Sequence, residues 1–186
     1  MAKQRKDLKF VSGAIKNREP NFGFLKVIEL TGIGHCGGLL IVAKNGRPIE
    51  FHCTAPVVPN RAREIMFGET FLTCLFTEQI GISLIDHCKT EPAILIVQQV
   101  EMASITELVD FPVAFIESSD DLQFDGRGLS TFNTDSHQVF GLNSKGELWT
   151  EVRNQIDLFS HGLPLDEPFE RIQSAIEEAN QARGAA

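Results

Sequence analysis

The pair Asn45-Gly46, set between two apolar runs of strand length, constrains this chain more tightly than any other local feature. Both residue types tolerate positive φ, which a tight hairpin turn requires. Residues 39–43 precede the pair and residues 48–55 follow it. A two-residue turn places Lys44 opposite Arg47. It then pairs Val42 with Ile49, Leu40 with Phe51, Gly38 with Cys53 and Cys36 with Ala55. Side chains alternate along a strand, so this register divides the hairpin into two faces. One face is apolar or small throughout and directs Cys36 and Cys53 toward the core, where cysteine behaves as a small hydrophobe. The other sets Gly37, Leu39 and Ile41 against Pro48, Glu50, His52 and Thr54, with His35 at its far end.

Three candidate sites follow from this unit. Glu50, His52 and His35 gather a carboxylate and two imidazoles on the mixed face. Such a set binds a divalent ion, zinc by its donor types, or exchanges protons near neutral pH. Its plainer reading is a half-exposed polar face. Cys36 and Cys53 approach diagonally and form a candidate thiol redox pair; core packing is the plainer reading. Beyond the hairpin, Thr54, Asn60, Arg61 and Arg63 border a helix start and form a candidate anion site, against a proline-shaped loop with solvated arginines.

The dipeptide His-Cys occurs three times, as His35-Cys36, His52-Cys53 and His87-Cys88. Adjacent strand residues point to opposite faces, so neither hairpin pair can ligate one metal through both members. His87-Cys88 closes the long helix, where a histidine complements the helix dipole. No C-x-x-C spacing occurs. The glycine-rich stretch over residues 32–38 runs into a strand, whereas phosphate loops run into a helix. The Ser, His and Asp groups at 130–137 and 157–161 lack a nucleophile elbow and read as turn chemistry. No cofactor is therefore expected unless the Glu/His set holds zinc.

The rest of the chain supports an α+β fold with a mixed or mainly antiparallel sheet, two β-hairpins, a long central helix and a C-terminal helix. Strands are expected over 22–30, 93–97 and 112–116. The central helix is expected over 61–87, capped by Asn60 and bent at Gly68. A second hairpin is expected around residues 143–146. Asp166 and Pro168 open a final helix whose apolar stripe is Phe169, Ile172, Ile176 and Ala179. Organisation follows as a basic arm over 1–20, one domain over 21–182 and a tail over 183–186.

The chain has 186 residues and a formal charge of −8, with 14 Phe and no Tyr. That charge argues against nucleic-acid binding except through the basic arm, where Lys3, Arg5, Lys6 and Lys9 cluster. The absence of Tyr directs the aromatics to the core rather than to an interface. No secretory h-region and no membrane-length apolar run occurs, so a cytoplasmic chain with reduced thiols is expected.

The segments Gly37-Gly38-Leu39-Leu40-Ile41-Val42, Gly46-Arg47-Pro48-Ile49-Glu50-Phe51 and Thr54-Ala55-Pro56-Val57-Val58-Pro59-Asn60-Arg61 resemble an uncharacterised bacterial protein family of no known activity. The resemblance spans residues 37–97. It implies a bacterial cytoplasmic protein with an intact hairpin–loop–helix–strand unit and assigns no catalytic residue. With no reaction signature in view, the leading expectation is a non-enzymatic binding or adaptor domain with a protein partner. The alternatives are a metal-assisted hydrolase using Glu50, His52 and His35, and a thiol sensor using Cys36 and Cys53.

Overall fold

The computed structural model describes residues 20–184, so the basic arm expected over 1–20 lies outside the described residues save for Pro20. One seven-stranded sheet organises them, in the order β3-β2-β1-β4-β5-β7-β6. The strands are β1 (Asn21–Leu30), β2 (Gly34–Ala43), β3 (Pro48–Cys53), β4 (Ile94–Val97), β5 (Val113–Ser118), β6 (Ser130–Asn133) and β7 (His137–Gly141). β1, β4 and β5 run parallel, and antiparallel pairs flank them on both sides. The mixed α+β expectation holds, with a parallel centre. The four residues of β4 are all buried, as a strand covered on both faces requires.

The first hairpin turns differently from the expected two-residue loop. Gly46 N–H donates to Ala43 O, Ala43 N–H donates to Arg47 O, and only Gly46 takes positive φ, at 76°. This is a three-residue loop, with a type I turn followed by a left-handed glycine. The additional loop residue alone would slip the register by one and exchange the faces of β3. A bulge between Ile41 and Val42 absorbs it, because Val42 pairs with Pro48 while Ile41 pairs with Glu50. Ile49 is the residue left over, and it is exposed. Beyond the bulge the expected pairs Leu40–Phe51 and Gly38–Cys53 stand.

Helices cover both faces of the sheet. On one face α4 (Gly146–Ser160) and α5 (Glu167–Gly184) bury Val152, Ile156, Phe159, Phe169, Ile172 and Ile176 against Phe22, Phe24, Leu40 and Ile96. Phe24 meets Phe169 edge-on with centroids 5.2 Å apart. On the other face lies the run over 61–87, with Leu75, Phe76, Ile80 and Leu84 against Leu25, Leu39 and Ile41.

That run is not one helix. It comprises α1 (Arg61–Phe67), a 3₁₀ turn (Gly68–Thr70), α2 (Phe71–Cys74), a π-helical stretch (Leu75–Gly81) and α3 (Ile82–His87). The break falls at Gly68, whose φ is 54°. The second expected hairpin is also corrected. Residues 146–152 are helical, and the hairpin forms earlier, between β6 and β7. Periodicity over so short a run cannot separate strand from helix, and packing of Val152 and Ile156 on the sheet decides for helix.

β2 must accommodate a helical layer on each side. A Cβ at Gly37 would collide with Ile80, and one at Gly38 would collide with Ile172. Overpacking of this kind costs about 1–3 kcal/mol. Gly37→Ala and Gly38→Ala should each lower the unfolding free energy by that amount, read as a lower urea midpoint at an unchanged denaturant slope. A variant as stable as the parent would show that the layers yield where they press closest.

Candidate metal centre

The general rule for sheets with a parallel centre directs attention first to the crevice outside the carboxyl ends of β1 and β4, where the chain departs toward opposite edges. Here that position is closed. The Gln99 amide accepts from Val27 N–H at 2.7 Å and donates to Val27 O at 2.9 Å, continuing the sheet through a side chain. Lys26 beside it donates to Gln173 at 2.8 Å. Burial lowers the Lys26 pKa, against the opposing charges of Glu170 and Glu177.

Ligand-type side chains assemble instead at the edge strand β3. Glu50 and His52, two residues apart, share the face of β3 that pairs with Ile41 and Leu39. The helical run packs on that face, and its end brings Cys88 alongside. Cys88 caps the C-terminus of α3 in extended conformation, through its N–H on Ile85 O. One donor atom from each of Glu50, His52 and Cys88 lies within 4.8 Å of the other two, the sole such group of three among the described residues. All three are partly buried.

Glu50 is the hub. Its Oε1 lies 2.6 Å from His52 Nε2 and accepts from Lys89 N–H at 2.9 Å, while Oε2 accepts from Thr90 N–H at 2.9 Å. These donors, first Lys89 N–H and then His52, hold the Glu50 pKa down at about 2, from an ordinary 4.5. Cys88 moves the opposite way. Burial, followed by the Glu50 charge, pushes its thiol up to about 11, against a Thr90 N–H bond that favours the thiolate.

The same three residue types also make a thiol–imidazole–carboxylate triad, and the charge beside the thiol works against it. A nucleophilic cysteine needs a base that draws off its proton and stabilises the thiolate. Here the neighbour that bears on Cys88 is the Glu50 carboxylate, which opposes ionisation. A metal ion is the partner that would reverse this, because it binds the thiolate directly.

Of the candidate metal residues, the fold brings Glu50 and His52 together and leaves His35 apart. His35 pairs with Val57 in an isolated bridge and stacks near Phe76, with ring centroids 5.6 Å apart. It sits four residues along β2 from Leu39, the partner of His52, a separation of roughly 13 Å at strand rise. Cys88 takes the third place. Its signal was the third His-Cys pair, which strand register cannot position because it ends a helix.

The two hairpin cysteines part company. Cys36 is buried, with its thiol on Thr54 O at 3.3 Å, whereas Cys53 is exposed. The expectation that both enter the core is corrected for Cys53. β3 is the edge strand, and on β2 it is Gly38, the partner of Cys53, that Ile172 and Ile176 of α5 approach.

The candidate anion residues are each engaged locally. Thr54 Oγ1 accepts from Gly37 N–H, and Asn60 caps Ala62 N–H. Arg61 pairs with Glu64, and Arg63 donates to Gln79 and lies over the Phe67 ring.

No family model matches the chain, and neither does any curated protein. Solved structures match it by shape. The catalytic domain of human Endonuclease V aligns over 91% of this chain and 86% of its own, with TM-score 0.55 and 12% identity. A second human Endonuclease V structure gives TM-score 0.54 at 14% identity, covering 90% of this chain and 86% of that one. Endonuclease V of Ciona intestinalis, in complex with a 24mer DNA containing an inosine followed by a ribo-adenosine, gives TM-score 0.53 at 8% identity over 86% and 87%. At these identities the likeness establishes the fold.

This finding corrects the leading functional expectation. A non-enzymatic adaptor rested on missing motifs, and the chain instead has the fold of nucleic-acid-cleaving enzymes along most of its length. One of these matching structures was solved with DNA. Among the described residues, no helix is long and apolar enough to cross a membrane.

Two outcomes test the centre as drawn. A carboxylate whose folded pKa is depressed contributes stability that is full above its unfolded pKa and is lost as pH falls through its folded value. Glu50→Gln should therefore melt below the parent at neutral pH, and the gap should close as pH falls from about 4.5 toward 2. A gap that persists unchanged at acid pH would remove the charged hub. For the thiols, with Cys88 held near 11, iodoacetamide at pH 8 should label exposed Cys53 at least about tenfold faster than Cys88, read by peptide mass spectrometry.

Proposed function

We propose that this chain is a metal-assisted hydrolase of nucleic-acid phosphodiesters, working from the Glu50–His52 face of the first hairpin. The observation that carries the reading is the partly buried Glu50–His52–Cys88 group, set on a fold matched by Endonuclease V structures. Three protein donors with solvent access leave a coordination position open, the pattern of hydrolytic rather than purely structural sites.

A bound divalent ion supplies Lewis acidity toward a phosphoryl oxygen and a water acidic enough to ionise near neutral pH. The chain's own groups do the rest. Glu50 stays ionised through the Lys89 and Thr90 N–H bonds and keeps negative charge at the centre. His52, held in place by its 2.6 Å contact with Glu50, would be the imidazole donor to that ion. Exposed Lys89 adds a positive charge beside the centre. With −8 on the whole chain, attraction to a polyanion has to be local.

The test is cleavage of labelled single- and double-stranded DNA and RNA, with and without inosine, in the presence of zinc, manganese or magnesium. Cleavage should require one of these ions, stop on chelation, and fall at least about 100-fold in Glu50→Gln and in His52→Ala. Substrates left intact under every ion, or cleavage indifferent to both substitutions, would overturn the proposal.

A further inference from the structure

We infer that the ion taken at this centre is of the zinc class, and that with Cys88 as its third donor it staples edge strand β3 to the end of α3. The inference rests on the proposed function only in placing a metal on this face; it stands or falls without cleavage.

The donor set argues first. A thiolate and an imidazole beside one carboxylate suit zinc, or cobalt in its place. Magnesium asks for near-octahedral oxygen donors and keeps several waters, and this group offers one carboxylate. Spacing argues second. Two donors of one tetrahedral zinc ion stand about 3.4–3.6 Å apart, and the three donors here lie within 4.8 Å of one another. His52 Nε2 and Glu50 Oε1, at 2.6 Å, are closer than two ligands of one ion can be. The ion must therefore replace the proton between them, and small side-chain movements bring all three to bonding distance.

Position argues third. Among the described residues β3 pairs with β2 alone, which leaves one side of its backbone without a strand neighbour there. Glu50 and His52 belong to β3, while Cys88 terminates α3 just before the turn at Lys89 and Thr90 that leads to β4. An ion shared by the three closes a link across about forty residues. Two backbone N–H bonds to Glu50 already join the two segments, and the ion would add bonds of its own. Cys53 adjoins His52 but points to the opposite face, so it serves as the internal control.

The experiment uses the whole chain, stripped with a chelator and titrated with zinc, cobalt(II) or magnesium. Zinc at a hundredfold excess over its Kd should raise the melting temperature by about 5–10 °C, and magnesium should not. Cobalt(II) should give a thiolate charge-transfer absorbance in the parent and in Cys53→Ser, lost in Cys88→Ser. His52→Ala should weaken zinc binding at least about tenfold. No zinc-dependent shift, or a cobalt–thiolate band that survives in Cys88→Ser and disappears in Cys53→Ser, would overturn the inference. Zinc bound as described without cleavage of any oligonucleotide would overturn the hydrolase alone. Cleavage with magnesium and no zinc shift would overturn the staple alone.

Discussion

A single additional residue in β3 governs where the chemistry of this molecule can stand. The three-residue turn at Lys44, Asn45 and Gly46 would displace β3 by one position, and a displaced strand turns every side chain to the opposite face. The bulge that releases Ile49 cancels the displacement, so Glu50 and His52 face Ile41, Leu39 and the helical layer over residues 61–87. Without that compensation they would face the layer formed by α4 and α5, far from Cys88. Turn and bulge are two local irregularities whose sum is a regular register.

The same carboxylate joins fold and site. Glu50 closes the turn after α3 by accepting from Lys89 and Thr90, and it also holds His52 and confronts Cys88. A group that anchors a connection is rigid, and rigidity is what a ligand site needs. The closely packed β2 glycines serve this arrangement indirectly. Gly37 lets Ile80 and Leu84 lie close against the sheet, which brings the end of α3 down beside β3. In the crevice between β1 and β4, by contrast, Gln99 closes the sheet with its own amide. The edge strand thus carries the ligand cluster on a fold otherwise matched by endonucleases.

Much of the frame was legible beforehand, and for stated reasons. The alternation along the first hairpin and the apolar stripe of α5 follow from periodicity, and the burial of β4 from its continuous apolar run. The region after β5 was less legible. Residues 143–152 have the turn residues and apolar spacing of a hairpin, yet 146–152 form the start of α4, because Trp149, Val152 and Ile156 find their burial on the neighbouring sheet. The break of the central helix was visible at Gly68, but its π-helical stretch was not, since that depends on how Phe76 and Ile80 seat on the strands.

By itself the sequence determined that Glu50 and His52 share a face, that Cys36 is core, and that α5 buries one stripe, because strand and helix periods are local geometry. Only the tertiary structure decided that Cys53 is exposed, that His35 stands apart, and that Cys88 completes the cluster. Edge position, distance along a strand and the landing point of a helix end depend on how elements separated by tens of residues pack. No local period encodes that packing.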